Sequence, residues 1–222
     1  MQSILNQLHA TYTNHSEAIV ATVSTDQMIN ATGNGLQELE IDPRNTVIAQ
    51  RCLLESSKHF RQLISYCPII NKKGEVLVYL RKKGGNESGL HDLHSIGFGG
   101  HVDGVEAQFN SAGGIELEPT LLQAIERELD EELKLNLNAL EVEHLAGKYI
   151  LSNENSVDAV HLGAVSFIRY DGPTYNGEVD VIGIKGFYPL SDLAQFNLES
   201  WSSLLAESSE LKEFCVNVAK SN

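Results

Sequence analysis

Between residues 63 and 81 the chain carries two apolar stretches split by a polar turn. Leu63 to Ile70 is a nearly continuous apolar run, Asn71-Lys72-Lys73-Gly74 has turn composition, and Glu75 to Arg81 is a second strand-like run. This spacing predicts a β-hairpin. Farther on the period changes. Leu122, Ile125, Leu129 and Leu133 recur three, four and four residues apart, which places them on one face of a helix starting near Thr120. Thr120 is the expected N-cap, with Gln123 three residues on and Pro119 just before it. Leu140 to Leu151 contains a further expected strand, and Val160 to Ile168 is a strong one. Trp201, Leu204, Leu205, Leu211 and Phe214 recur near helical spacing and predict a C-terminal helix over 198–219. It packs on the domain or on a second subunit.

Before residue 60 the pattern is weaker. Ile4, Leu5, Leu8 and Tyr12 are spaced for a short helix, Ala18 to Val23 and Thr46 to Ala49 read as strands, and Asn30 to Gly35 is turn-rich. Residues 1–60 are an N-terminal extension: a small subdomain or a set of edge strands on the main sheet. Residues 61–222 form the principal domain. With 222 residues, 42% of them hydrophobic, the chain can bury a sizeable core in one such domain.

A formal net charge of −14 argues against general nucleic-acid binding and RNA-cap chemistry, because phosphate backbones demand basic surfaces. It leaves small anionic substrates open, since a bound metal inverts the local charge. Cys52, Cys67 and Cys215 are odd in number and lack metal-type spacing, which suggests reduced thiols in a cytoplasm. The first residues carry no basic or apolar region of a signal peptide, and no run is long enough for a membrane span.

The chemistry concentrates in Arg127-Glu128-Leu129-Asp130-Glu131-Glu132-Leu133. Glu128, Glu131 and Glu132 are three and four apart on a helix, so they repel by a few tenths of a kcal/mol per pair. They also crowd the negative end of the helix dipole. A divalent cation held by carboxylates and substrate phosphates would offset this; a solvated acidic face with Arg127 on Glu131 is the bland alternative. Upstream, Gly97-Phe98-Gly99-Gly100-His101-Val102-Asp103-Gly104 lets the backbone take unusual angles and approach a ligand closely. His91 and His94 lie in the preceding loop without a third ligand nearby.

The strand, the Gly-Gly-His-Val turn and Arg-Glu-Leu-x-Glu-Glu together resemble the Nudix hydrolase signature, over roughly residues 64 to 195. Gly100 and Glu106 fit its first part, and Arg127, Glu128, Leu129, Glu131 and Glu132 fit its core. More narrowly, the chain is similar to the MutT-type predicted phosphoesterases. Two departures stand out. An insertion containing Asn110-Ser111-Ala112-Gly113-Gly114 separates Glu106 from Arg127, and Glu118 is the rival for the first motif glutamate. Lys134 stands where the motif closes with glycine, so the turn should end differently.

The resemblance implies an α/β/α sandwich around a mixed sheet. It implies metal-dependent hydrolysis of a diphosphate linkage in a nucleoside diphosphate joined to a group X, with Mg²⁺ or Mn²⁺. Glu128, Glu131 and Glu132 would be metal ligands beside the Gly99 and Gly100 backbone. Glu131 and Glu128 would carry the chemistry, with Arg127 as a brace and Glu178 as a further base or ligand. His101, Asp158, His161 and Glu106 are candidate contacts to substrate, and Tyr149, Phe98 and Tyr175 are candidate stacking residues. A homodimer is expected. The alternatives are a nucleotide-sensing module that does not cleave, and an isoprenoid-diphosphate isomerase, for which Cys67 would have to serve as the reactive thiol.

Overall fold

The computed structural model describes residues 18–29, 34–55, 57, 59–84, 88–135, 140–154, 156–173 and 180–221. In chain order the elements are β1 (Ala18–Val23), α1 (Asp26–Ile29), β2 (Gly35–Glu38), β3 (Thr46–Gln50), α2 (Arg51–Glu55), β4 (Phe60–Ile70) and β5 (Val76–Arg81). Then come β6 (His94–Ser95), β7 (Gly97–Phe98), β8 (Gln108–Phe109), β9 (Ile115–Glu116), α3 (Leu117–Leu133), β10 (Glu141–Leu151), β11 (His161–Arg169), β12 (Ile182–Tyr188), α4 (Ser200–Glu207) and α5 (Ser209–Lys220). The main sheet runs in the order β12-β5-β4-β11-β10-β2. It is mixed: β4 and β11 are parallel, with His161 opposite Gln62, and their other neighbours are antiparallel. The strands of the N-terminal extension join this sheet. β1 pairs β4 through Ala21–Gln62, and β2 pairs β10. The short helix expected near residues 4–12 and most of the turn near 30–35 lie outside the described residues.

The two faces of the sheet follow from strand alternation. On β4, β5 and β11, Cys67, Ile69, Leu77, Tyr79 and Ile168 point to one side and pack against Ile125, Leu129 and Leu133 of α3. Tyr66, Val76, Val78, Val165 and Phe167 point to the other and pack against Trp201, Leu205, Leu211 and Cys215 of α4 and α5. The result is the expected α/β/α sandwich. No helix among the described residues is long and apolar enough to cross a membrane.

Four expectations are corrected. Helix α3 begins at Leu117, not Thr120, because the inserted loop folds into the β8–β9 hairpin and Glu116 becomes the N-cap. Thr120 is inside the helix, where its hydroxyl donates to Glu116 O at 2.6 Å and accepts Gln108 N–H at 2.9 Å. The buried stripe is Leu121, Ala124, Ile125, Leu129, Glu132 and Leu133, so Leu122 falls just off it and is exposed. The C-terminal segment is two helices. Ser208 is extended and ends α4, and its hydroxyl caps α5 by accepting Leu211 N–H at 3.2 Å. Lys134 ends α3 as a glycine would, in the left-handed region at φ 50°.

That conformation strains a side-chain-bearing residue by about 1 kcal/mol. The compensating Lys134–Asp130 pair at 3.2 Å is more than half exposed and contributes little. Lys134→Gly is therefore expected to stabilise the protein by roughly 0.5–1 kcal/mol, read as a higher urea midpoint at unchanged slope.

Candidate active site

The site is built where α3 crosses the turn after β7. Gly99 has φ 131°, and a Cβ there would lie 2.1 Å from Ser65 O. A Cβ on Gly100 would lie 2.4 Å from Glu128 Oε1, so only glycine lets that carboxylate approach the backbone. Gly99 N–H donates to Glu132 Oε2 at 3.1 Å. The Gly100 carbonyl accepts Ser65 N–H at 3.0 Å and the Ser65 hydroxyl at 3.4 Å, which ties the turn into β4.

Arg127 holds the frame together. Its Nε donates to Glu106 Oε1 at 2.6 Å, Nη2 to His101 O at 2.9 Å, and Nη1 to Glu128 Oε1 at 2.8 Å and Glu131 Oε2 at 3.2 Å. Glu106 in turn accepts Asp103 N–H at 2.7 Å. Glu106, not Glu118, is therefore the arginine's partner. The β8–β9 hairpin absorbs the extra chain between them, and Glu118 sits exposed in the first turn of α3.

Glu128 is nearly enclosed. Burial pushes its carboxyl up to about 7; Arg127 opposes the shift, and Glu131 and Glu106 add to it. Glu131 is the open member of the trio, about half exposed. The cradle that a Gly100 Cβ would fill faces the Glu128 carboxylate, and Glu132 meets the adjacent Gly99 N–H, a set of oxygen donors that fits a hard cation. Among the described residues no group of three acids, histidines or cysteines is gathered at metal-binding distance. In this arrangement the Arg127 guanidinium bridges Glu128 and Glu131.

Beside the carboxylates a cleft of about 470 Å³ is lined by Gly99, Gly100, Arg51, Arg81, Asp158 and Trp201, with His101 and His161 at its edge. Asp158 lies in a 3-10 turn before β11, not at a strand start; its carboxylate accepts Ser152 Oγ–H at 2.8 Å and Ser200 Oγ–H at 3.3 Å. His161 Nδ1 is 2.7 Å from Val157 O, which can only accept, so Nδ1 carries the proton and Nε2 of the neutral ring is an acceptor. His101 Nε2–H then donates to His161 Nε2 at 3.2 Å and Gln62 Oε1 at 3.0 Å.

Burial, then Arg51, His161 and Arg127, depress the His101 pKa to about 3. The ring stays neutral in the fold while the unfolded chain takes up a proton below about pH 6.5. Its stabilising contribution is complete above that pH and is lost as pH falls toward 3, at up to about 1.4 kcal/mol per pH unit. His101→Gln should flatten this acid limb, checked by urea titrations at successive pH values in chelator.

Several expectations are placed differently. Phe98 and Tyr149 are core residues, not stacking platforms. Cys67 is buried against α3, and burial, with Glu132 and Glu128, raises its thiol. It does not line the cleft, which removes the nucleophile an isomerase would need. Glu178 and Tyr175 lie outside the described residues. The sequence reading missed Arg51, Arg81, Glu199 and Trp201. None of them carried a local signal; Arg81 reads as the end of a strand.

No family model matches the chain. It is 33% identical over 158 residues to Protein YmaB of Bacillus subtilis (strain 168), an alignment spanning 69% of this chain and 73% of that protein. Among solved structures, it superposes on Tm1382, a protein assigned to the Nudix hydrolases, with a TM-score of 0.65 and 22% identity, covering 93% of this chain and all of that one. DR0079 from Deinococcus radiodurans gives a TM-score of 0.47 at 18% identity, over 82% of this chain and 98% of that one.

Proposed function

Taking as premise that the chain belongs to the family of Protein YmaB and has the Nudix hydrolase fold, we propose that it hydrolyses a diphosphate linkage in a nucleoside diphosphate-X compound, with Mg²⁺ or Mn²⁺. The observation that carries this reading is the Glu128 carboxylate, buried in the space left by Gly100 beside Glu131 and Glu132. These three residues would hold the ion, which neutralises phosphate oxygens and acidifies a bound water.

The chain's own residues do the rest. Glu106 and the His101 carbonyl fix Arg127, and Arg127 fixes the rotamers of Glu128 and Glu131. Glu131 holds Arg127 through Oε2, and its Oε1, without a hydrogen bond among the described residues, accepts the proton of the attacking water. The cleft beside Gly99 and Gly100 receives the nucleotide and X.

One observation favours a second reading, the sensor that binds without cleaving: Arg127 already neutralises Glu128 and Glu131. Calorimetric titration with Mn²⁺ tests the proposal. Wild type should bind it, and Glu128→Gln should bind at least about tenfold more weakly, as loss of a supporting carboxylate contact does at metal sites. Equal binding by both proteins would remove the site.

A further inference from the structure

The cleft is lined by a guanidinium that has no hydrogen-bond partner among the described residues. Arg81 closes β5 and lines the cleft, yet among the described residues its guanidinium makes no hydrogen bond, and its Nε is a buried donor without a partner. It has no ion pair among the described residues. Its Cζ lies 5.6 Å from the centre of the Tyr79 ring, and that tyrosine's hydroxyl is committed to Gly97 O at 2.9 Å. A guanidinium is charged at every physiological pH. Burial opposes that charge, and the Tyr79 ring and the Glu199 and Glu132 carboxylates favour it on balance; what stays unmet is the hydrogen-bonding capacity of its buried Nε.

The neighbour that would ordinarily answer it is occupied. Glu199 is 4% exposed and lines the same cleft. Its carboxylate accepts from Tyr66 Oη at 2.6 Å, Ser202 Oγ at 2.6 Å, Ser202 N at 3.0 Å, Trp201 N at 2.9 Å and Ser95 Oγ at 3.3 Å. This web holds Trp201 edge-on to Tyr66, with its six-membered ring against Gly163. Trp201 is 7% exposed and offers no open face for a base to stack on. Its indole Nε1 is a second buried donor with no partner. The far wall of the cleft thus presents the unpaired donors of Arg81 and Trp201 beside a carboxylate whose hydrogen bonds are committed to its own web. Arg51 lines the cleft too, with its Nε on Glu55 at 2.7 Å.

We infer that Arg81 is the receptor for an anionic group on X, so that the substrate is a diphosphate whose leaving group itself carries a phosphate or a carboxylate. This rests on the diphosphatase reading for the term X. The contact itself needs neither metal nor turnover. Charge-assisted, forked hydrogen bonds from Arg81 to such a group would supply the missing partner.

The test is metal-free binding of inorganic phosphate and of malonate, by calorimetry in chelator, to wild type, Glu131→Gln, Arg81→Met and Arg81→Lys, with melting curves for each. One anion should bind wild type and Glu131→Gln alike, which also names phosphate or carboxylate as the group read. Arg81→Met should bind it at least about tenfold more weakly, and Arg81→Lys, which keeps the charge and loses the fork, several-fold more weakly. Without ligand, Arg81→Met should melt no lower than wild type, since it removes a buried donor without a hydrogen-bond partner. Binding of neither anion, or binding unchanged in Arg81→Met, overturns the inference. So does a lower melting temperature of ligand-free Arg81→Met, which makes the residue structural. If Arg81→Met fails to fold, Arg81→Lys decides: weaker binding supports the inference, and unchanged binding or a second failure to fold overturns it. Failure of the diphosphatase reading registers elsewhere, as absent turnover with these affinities intact.

Discussion

Arg61→Met is expected to lower the melting temperature by on the order of 10 °C. Arg61 is 2% exposed, and it sits where β4, the α1 turn and the loop before β11 meet. Its Nη1 donates to Asp158 O at 3.0 Å, His161 O at 3.3 Å and Ser152 O at 3.5 Å, and its Nη2 to Met28 O at 3.2 Å and Asn153 Oδ1 at 2.6 Å. Methionine fills much of the volume but leaves buried carbonyls unanswered, at about 1–3 kcal/mol for each that water cannot reach. A net loss of about 3–5 kcal/mol follows, comparable to breaking a buried charge network. Differential scanning calorimetry checks it. A shift of under about 2 °C would mean that the knot between the N-terminal strands and the main sheet is dispensable. Because Asp158 and His161 flank the cleft, substrate affinity should fall alongside stability.

Glu131→Gln is expected to fold as wild type and to lose about 10²–10⁴-fold in metal-dependent turnover, the range for removing a general base. Its side chain is about half exposed, and the amide retains an acceptor for Arg127, so little stability is at stake. Steady-state kinetics beside a melting curve separates the two effects. Under the sensor reading the substitution leaves ligand affinity largely intact and there is no rate to change.

The strands and the helix that carries the acidic band were legible because hydrophobic periodicity reports which face of an element is buried; the sandwich followed from the resemblance. The partner of Arg127 was narrowed to two acids. Glu106 prevailed because a hairpin can absorb inserted chain without moving its ends, which spacing alone does not reveal. The start of α3 was misread for the same reason: Thr120 has the chemistry of an N-cap, but the hairpin delivers the chain three residues earlier. Lys134 was expected to end the helix differently and instead takes glycine's left-handed conformation, which its residue type alone does not announce. The far wall of the cleft was not legible. Glu199 meets Tyr66 and Ser95 across separations of more than a hundred residues, and Arg81 reads locally as an ordinary strand end.

The most direct measurement is phosphate release from a panel of nucleoside triphosphates, ADP-ribose, sugar nucleotides, dinucleoside polyphosphates and coenzyme A. Each is run with a coupling phosphatase in Mg²⁺, in Mn²⁺ and in chelator, beside Glu131→Gln. The account predicts turnover of at least one compound that chelator abolishes and Glu131→Gln lacks. Silence across the panel from a protein that still binds metal, or turnover equal in Glu131→Gln, would contradict it.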